Sequence, residues 1–225
     1  MKLAALYSGG KDSTLAVYDS IQKGHDVIKL VSMDSRNPES YMFHFPNIKF
    51  TSYQAEAMGI PHVMKDTKGE KEKELKDLRK AIENVKGIEG IIAGGLASKY
   101  QYNRIQGIAD ALKLKTIVPY WKIDSEDYWN LILEAGFRVM IIGVACEGLG
   151  KEWLGRVVEG ETFRELKKLA TKHRFHLAGE GGEFESFVLD GPNFKKKLEV
   201  RGAETIWDRD SGMYLFKNVK LVEKN

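Results

Sequence analysis

Short apolar runs alternate with stretches of helical periodicity through about the first 145 residues of the chain. The apolar runs predict strands at 2–7, 27–33, 62–65, 90–93, 116–118 and 138–145. The amphipathic stretches predict helices at 13–23, 47–58, 70–85, 100–112 and 126–135. Such alternation is typical of a parallel sheet with helices on both faces. Because the loops that follow parallel strands meet at one edge, we expect the chemistry of the protein there.

The pattern changes near residue 147. A predicted helix at 158–172 is followed by strand-like segments at 184–189, 197–200, 204–209 and 213–221. Turn signals stand at 190–192 (D-G-P) and 210–212 (D-S-G). We therefore predict an α/β fold with two parts. A doubly wound parallel sheet occupies residues 1–146, and a smaller C-terminal α+β lobe of residues 147–225 closes over the loop edge and binds the substrate.

The segment S-G-G-K-D-S at 8–13 joins the first predicted strand to the first predicted helix. A strand that turns through glycines into a helix directs several backbone N–H groups and the positive end of the helix dipole at one point. That point favours an anion, above all phosphate. Hydroxyls and a lysine add to it, and Asp12 is a carboxylate suited to Mg²⁺. The predicted nucleotide-binding residues here are Ser8, Gly9, Gly10, Lys11, Asp12 and Ser13.

This segment is not a Walker A loop, which requires a glycine in place of Ala5 and a serine or threonine in place of Asp12. It resembles instead the PP-loop of the N-type ATP pyrophosphatases, the adenine nucleotide α-hydrolase-like superfamily. The resemblance implies that the loop holds the β,γ-pyrophosphate of ATP while a substrate oxygen attacks the α-phosphorus. A glycine-rich turn without a ligand is the alternative.

The composition narrows the function classes. Hydrophobic residues make up 43% of the 225 residues, which is enough for a core, and the net charge of +3 does not favour nucleic acid as a partner. The single cysteine, Cys146, excludes a disulfide within the chain and argues against a glutaminase. The apolar stretches are too short to cross a membrane and no signal peptide precedes the first strand, so we expect a cytoplasmic protein.

Two further segments carry polar groups. The block G-G-L-A-S-K-Y-Q-Y-N-R at 94–104 follows a strand and opens a helix, so we expect it at the same edge as the first loop. Its candidate contacts to phosphate or substrate are Ser98, Tyr100, Gln101 and Arg104. The block G-E-G-G-E-F-E-S at 179–186 combines three glycines with three carboxylates, which suits metal ligation or a cation receptor. An acidic turn before a strand is the alternative.

These blocks together resemble the diphthine–ammonia ligase family. The matching segments, in chain order, are S-G-G-K-D-S at 8–13, Y-M-F-H at 41–44, the 94–104 block and the 179–186 block. The resemblance covers nearly the whole chain, and its length resembles that of archaeal, single-module members. It implies that diphthine on elongation factor 2, ammonium and ATP give diphthamide, AMP and pyrophosphate through an acyl-adenylate. Free ammonium is the implied nitrogen donor, and a homodimer is compatible with the sequence.

The resemblance also implies roles for individual residues. Catalysis would fall to Lys11, Asp12 and Arg104, with Asp12 as the Mg²⁺ ligand and Arg104 as a phosphate clamp. The remaining nucleotide contacts would be Met33, Asp34 and Ser35 beside the adenine, together with Gly94, Gly95 and His44. A histidine satisfied by its local surroundings is an equal alternative for His44.

Diphthine carries a quaternary ammonium beside the carboxylate that reacts, and acidic and aromatic side chains recognise such a cation. The predicted receptor residues are Glu180, Glu183, Phe184 and Glu185, with Tyr120 or Trp121 nearby. Two other functions remain open from the sequence. One is a tRNA-modifying PP-loop enzyme of the lysidine type, and the other is a non-catalytic sensor of adenine nucleotides.

Overall fold

The computed structural model describes residues 1–35, 37, 46–70, 73–95 and 98–224. Five parallel strands form a first sheet: β1 (Lys2–Leu6), β2 (Asp26–Ser35), β3 (His62–Thr67), β4 (Gly90–Ile92) and β5 (Lys115–Ile117). Their order across the sheet is β3-β2-β1-β4-β5. The central strand is therefore β1, and the chain reaches its two neighbours by separate crossovers.

Helices cover both faces of this sheet. They are α1 (Lys11–Gln22), α2 (Thr51–Met58), α3 (Lys73–Glu83), α4 (Lys99–Ala111) and α5 (Ser125–Glu134). Alternate residues of β1 point to opposite faces: Leu3 and Ala5 lie in a core with α1, α2 and α5, whereas Ala4 lies in a core with α3 and α4. The predicted doubly wound sheet is thus confirmed. The predicted helix at 47–58 begins with a 3₁₀ turn, Ile48–Phe50, before α2.

A second, antiparallel sheet contains β6 (Arg138–Val144), β7 (Val157–Val158), β8 (Phe184–Asp190), β9 (Lys196–Asp208) and β10 (Ser211–Glu223). The order is β7-β6-β10-β9, and β8 also pairs with β6. Helix α6 (Gly160–His173) packs with this sheet. Among the described residues, no helix is long and apolar enough to span a bilayer.

Two strand predictions are corrected. We predicted 138–145 in the parallel sheet, but β6 lies in the second sheet, bonded along both edges. A continuous apolar run indicates burial on both faces and does not distinguish a parallel from an antiparallel neighbour. The predicted strands at 197–200 and 204–209 are one strand, β9, whose pairing with β10 shifts register near Gly202.

The two sheets share one of these two cores, the one that contains α1, α2 and α5. One cluster of buried side chains joins Leu15 of α1 to Ile141 of β6 and Phe187 of β8. The carbonyl of Gly9 also accepts a hydrogen bond from the Val188 amide, which ties the loop after β1 to the second sheet. The second sheet starts at β6, and the division of the chain into folding units after residue 146 stays a prediction.

Candidate functional site

The strand order places a ligand site at the carboxyl end of β1. From this strand the chain continues to β2 on one side, while β4 lies on the other. Open α/β sheets bind ligands at such a reversal, in the crevice outside the strand ends. The loop after β1 carries residues 7–10, and the loop after β4 carries Gly94 and Gly95. The structure therefore brings both predicted loops to one point.

Gly9 makes the turn of the first loop possible. Its φ of +80° lies in the left-handed region, and a Cβ there would stand 2.5 Å from Oε1 of Gln54 and 2.9 Å from the Phe187 ring. Its carbonyl accepts from the Val188 amide at 2.9 Å and from Nε2 of Gln54 at 2.9 Å. The loop is thus held by groups from β8 and α2 before any ligand binds.

The start of α1 leaves its first turn open to an anion. Gly10 is the N-cap residue and has no side chain with which to cap the helix. The hydroxyls of Ser8 and Ser13 lie 3.2 Å apart, and the amide of Lys11 donates to Oγ of Ser186 at 3.2 Å. Apart from the Lys11 amide, the N–H groups of this turn receive no side-chain cap from Gly10, and such N–H groups with flanking hydroxyls are the elements of a phosphate site.

Lys11 is the cation of this site. Its side chain is only 4% exposed, and its Nζ lies 2.9 Å from Oδ2 of Asp12 and 5.5 Å from the centre of the Phe184 ring. The other carboxylate oxygen of Asp12 accepts from the Tyr128 hydroxyl at 2.9 Å. Burial, followed by the charges of Asp12 and Glu180, raises the pKa of Tyr128 well above its usual value, so this phenol remains a donor.

Gly94 lies directly against the start of α1. A Cβ at this position would stand 2.4 Å from the carbonyl carbon of Asp12 and 2.5 Å from the amide nitrogen of Ser13. Only glycine allows the two loops to approach so closely. Gly95 has more room, since a Cβ there would find its nearest neighbour, Oε1 of Gln101, at 3.8 Å.

The start of α4 is organised by its own side chains. Ser98 is the N-cap residue, and its hydroxyl accepts from the Gln101 amide at 3.3 Å. The Arg104 guanidinium stacks on the Tyr100 ring, 3.5 Å from its centre. This capping role of Ser98 was not predicted. The roles of Ser98, Tyr100, Gln101 and Arg104 toward phosphate or substrate stay predictions.

The 179–186 block forms the opposite wall. A cleft of about 60 Å³ separates residues 8–13, which we call the phosphate loop, from β8. Its lining includes Lys11 and Asp12 on one side and Phe184, Glu185 and Ser186 on the other. That space suits a few waters or one small polar group, at roughly 15 Å³ for each water.

The three glutamates of this block have different surroundings. Glu183 accepts from the His176 amide at 2.8 Å and the Gly181 amide at 2.7 Å, so its carboxylate holds the loop itself. Burial raises the pKa of Glu185 to about 7, a rise that Lys11 opposes and that the charges of Asp12 and Glu180 increase. The cleft thus places the carboxylates of Asp12 and Glu185 beside Lys11, and the charge of Glu180 acts on Glu185 as well.

Other predicted residues lie at the margins. Met33 is buried in the core between the first sheet, α3 and α4. The Ser35 hydroxyl donates to the carbonyl of Asn37 at the end of β2. Asp34 is partly exposed beside them, and adenine contacts along 33–35 stay a prediction. His44, with the rest of the Y-M-F-H segment, lies outside the described residues.

The two aromatic candidates for the cation receptor are partly occupied. The Tyr120 hydroxyl donates to Oδ1 of Asp19 at 3.1 Å, and the Trp121 ring packs on the Tyr102 ring with centres 5.0 Å apart.

The Cys146 thiol has a pKa raised to about 11 by burial and by the charge of Glu183, so it is protonated at neutral pH. A protonated thiol is a poor nucleophile.

Two known domain families cover most of the chain. The family profile of the diphthamide synthase N-terminal domain matches residues 1–116, and that of the C-terminal domain matches residues 124–222. The chain belongs to the diphthamide synthase family. The family resemblance expected from the sequence is confirmed.

Curated relatives extend the match. A "Diphthine--ammonia ligase" of Mus musculus is 31% identical over 229 residues, covering 92% of this chain and 85% of the mouse protein. One of Schizosaccharomyces pombe is 29% identical over 244 residues, covering all of this chain and 40% of that protein. A solved structure titled a predicted subunit of tRNA methyltransferase, from Methanocaldococcus jannaschii, covers 85% of this chain and 98% of its own. Its TM-score is 0.44 and its sequence identity is 15%.

The residues at the start of α1 fit a Mg²⁺ site that takes few of its ligands from the protein. The described residues contain no group of three or more candidate ligands. Mg²⁺ commonly uses one or two carboxylates and takes its other ligands from substrate phosphates and water. Asp12, at the start of α1 beside the predicted phosphate position, meets that requirement, and its role as a ligand stays a prediction.

Sequence reasoning missed three residues that build this site of the diphthamide synthase family. Tyr128 reaches Asp12 from α5, Gln54 holds the Gly9 carbonyl from α2, and Ser186 accepts from the Lys11 amide. Only Ser186 stood in a segment that the sequence singled out. Tyr128 and Gln54 are helix residues far along the chain from the phosphate loop, and no local pattern marks them.

Proposed function

We propose that this chain is a ligase that uses ATP to amidate the carboxylate of diphthine on elongation factor 2 with ammonium. The products are diphthamide, AMP and pyrophosphate. The observation that carries the proposal is the phosphate loop: a glycine turn at the open end of α1 with a buried lysine beside it, in a chain of the diphthamide synthase family. The relatives that bear the name diphthine–ammonia ligase support the same reaction.

The first step activates the carboxylate. A carboxylate oxygen of diphthine attacks the α-phosphorus of ATP, and the bond from that phosphorus to the bridging oxygen of the β-phosphate breaks. Negative charge then develops on the departing pyrophosphate. The uncapped first turn of α1, the two serine hydroxyls and Lys11 Nζ are positioned to stabilise that charge, and such preorganised donors supply much of the acceleration in enzymes. Mg²⁺, when bound, would neutralise further phosphate charge.

The neighbours of Lys11 keep it in place for this step. The Asp12 carboxylate pairs with Nζ of Lys11 at 2.9 Å, and the Tyr128 hydroxyl donates a hydrogen bond to the same carboxylate. Phe184 supports the lysine from the face of its ring. Held in this way, Lys11 loses little side-chain entropy when pyrophosphate forms. In the proposal, Arg104 acts as a phosphate clamp, with its guanidinium plane fixed by the Tyr100 ring.

The second step forms the amide. Neutral ammonia attacks the acyl carbon of the adenylate, the carbon–oxygen bond to AMP breaks, and one proton is released overall. Since the described residues include no thiol suited to glutamine hydrolysis, free ammonium is the proposed nitrogen source. The acidic wall of the cleft, at 179–186, faces the activated carboxylate in this scheme.

The experiment is incubation of the protein with ATP, Mg²⁺, ammonium and diphthine-bearing elongation factor 2. We expect the mass of the factor to change by the replacement of a hydroxyl with an amine, with AMP and pyrophosphate formed in equal amounts. Lys11→Met should abolish this product, whereas Lys23→Met, at the exposed end of the same helix, should leave it unchanged. ADP and orthophosphate as products would contradict the proposal. ATP binding without AMP formation on any substrate would favour the nucleotide sensor.

A further inference from the structure

Glu185 differs from Glu183 in having no hydrogen-bond partner in the part of the chain that the structure describes. Within the described ranges, its carboxylate accepts no hydrogen bond and joins no ion pair, although the residue is partly buried and lines the cleft beside the phosphate loop. A buried carboxylate without a partner is costly, because its charge has lost the solvation of water. Such a group calls for a ligand that supplies the missing donors.

The backbone around Glu185 is arranged to admit its side chain to the cleft. Gly143 of β6 stands opposite, and a Cβ at that position would lie 3.1 Å from Cβ of Glu185 and 3.4 Å from its Cγ. The pairing of β6 with β8 also shifts register between Ile141 and Gly143. The extra residue of this bulge, Ile142, lines the same cleft. Bulges of this kind redirect side chains beside binding sites.

The electrostatic surroundings favour a cation at this carboxylate. Lys11 is the nearby positive group, and it is already paired with Asp12. Burial raises the pKa of Glu185 to about 7; Lys11 opposes this rise, and the charges of Asp12 and Glu180 add to it. At neutral pH the group therefore exists in both the acid and the base form, which suits it to take up and release a proton.

The ligand is identified by size and by hydrogen bonding. The quaternary ammonium of diphthine carries no N–H, so it cannot donate to a carboxylate, and it suits aromatic faces better. Ammonium is small, carries four N–H groups and fits a polar cleft of about 60 Å³. It must also lose a proton before its nitrogen becomes a nucleophile.

We propose that Glu185 binds the ammonium ion in the cleft and accepts the proton whose loss frees the nitrogen to attack the acyl adenylate. The step is balanced: ammonium and the Glu185 carboxylate give ammonia and a neutral carboxyl group. The ammonia lone pair forms the carbon–nitrogen bond as the bond to AMP breaks, and the second proton leaves to water. This assignment rests on the proposed ligase function and gives Glu185 a role separate from recognition of diphthine.

Glu185→Gln tests it, because glutamine keeps the shape but cannot accept the proton. Three rates separate the steps. Exchange of labelled pyrophosphate into ATP, dependent on the diphthine-bearing factor, measures adenylation alone and should stay within about twofold. Amide formation from ammonium should fall roughly 100-fold or more. Hydroxamate formation from hydroxylamine, which is mostly neutral at pH 7, should stay within about tenfold since it needs no such base.

Glu199→Gln is the matched control, because it makes the same change at a partly exposed carboxylate of β9 paired with Arg201. All three of its rates should equal those of the wild type. Glu185→Asp keeps a carboxylate but withdraws it by one methylene, and its ammonium rate should lie between those of the wild type and Glu185→Gln.

Several outcomes would overturn the assignment. Unchanged ammonium-dependent amidation in Glu185→Gln would show that this carboxylate is not needed. Loss of pyrophosphate exchange in a variant that still melts cooperatively would place Glu185 with the phosphates or Mg²⁺. Equal losses with ammonium and hydroxylamine would make it a positioning residue. Failure of the proposed function itself is distinguishable, because the wild type would then show neither exchange nor amide.

Discussion

The phosphate loop at 8–13 and the acidic segment at 179–186 face one another across the same cleft, but they are built in different ways. The loop is a proposed anion site made mainly of backbone, with glycines at its turn and a helix start behind it. The acidic segment is a proposed cation site made of side chains. Two of its carboxylates, Glu183 and Glu185, lie two residues apart and yet have opposite surroundings. One accepts two backbone N–H groups, and the other has no partner within the described ranges.

This difference shows what local sequence encodes. A backbone anion site is encoded by consecutive residues, because its geometry depends on the φ values and the helix start of one short segment. A side-chain cation site depends on which carboxylates the tertiary structure leaves without partners. The strand period turns alternate residues of β8 in opposite directions, but it does not tell which carboxylate will be capped by a neighbouring loop.

The largest effect is expected at the loop. Lys11→Met removes the buried cation while keeping the length of its side chain. Loss of a preorganised charge that acts on the departing group should lower the rate of pyrophosphate exchange by about 10³-fold. Methionine fills the same space beside the Phe184 ring but leaves Asp12 without its ion pair, so we expect a modest fall in the thermal midpoint with the protein still folded. A rate within tenfold of the wild type would move the anion site away from Lys11.

Gly94→Ala tests the close approach of the two loops. Its Cβ would stand 2.4–2.6 Å from backbone atoms of Asp12 and Ser13, so α1 or the loop after β4 must shift. We expect a loss of about 3 kcal/mol in the free energy of unfolding and weaker ATP binding. Chemical denaturation and nucleotide titration measure the two effects.

Gly107→Ala is the matched control for this change. Gly107 lies inside α4, and nothing stands within 4 Å of the position of its Cβ. Alanine there should raise stability by about 0.5–1 kcal/mol because glycine weakens a helix interior. Equal effects at Gly94 and Gly107 would show that the loop contact at Gly94 is not tight.

The raised pKa of Glu185 in the acidic segment predicts how the stability of the protein depends on pH. The Glu185 carboxyl has a pKa of about 7 in the folded protein, against an ordinary value of 4.5. Between these values the folded protein holds a proton that the unfolded chain has lost, so this group makes stability fall as pH rises. A shift of this size corresponds to at most about 3 kcal/mol, and the loss is complete above pH of about 7.

Urea unfolding at pH 5 and pH 8 measures this contribution. Glu185→Gln should lose less stability than the wild type over that interval and should be the more stable protein at pH 8. Glu199→Gln should follow the wild type. If Glu185→Gln keeps the full pH dependence of stability, the loss of stability at high pH does not come from the Glu185 carboxylate.

The smallest effect is expected at Glu183. Glutamine in its place keeps one acceptor oxygen and loses the other, so either the His176 amide or the Gly181 amide loses its partner. The expected cost is about 1 kcal/mol of stability, with a change in amidation rate much smaller than that of Glu185→Gln. If turnover falls as far as in Glu185→Gln, Glu183 reaches the substrate as the sequence predicted.

Much of the architecture could be predicted from the sequence. The five short apolar runs before residue 120 all became strands of one parallel sheet, because alternation with helices leaves few other arrangements. The predicted proximity of 94–104 to the phosphate loop follows from the same topology, and Gly94 indeed contacts the start of α1. This reasoning could not predict that β6 belongs to the second sheet, since an apolar run does not specify which strands will pair with it.

By itself, then, the order of residues predicted the position of the anion site, because the glycine turn, the lysine and the helix start all lie within six consecutive residues. It also determined the family, because four separate blocks had to occur in the right order. Only the tertiary structure decided that Tyr128 holds Asp12 and that Gln54 and Val188 hold Gly9. It also decided that Glu185, unlike Glu183, faces the cleft with no partner among the residues the structure describes. These contacts join residues more than forty positions apart, and packing of the two sheets around one core brings them together.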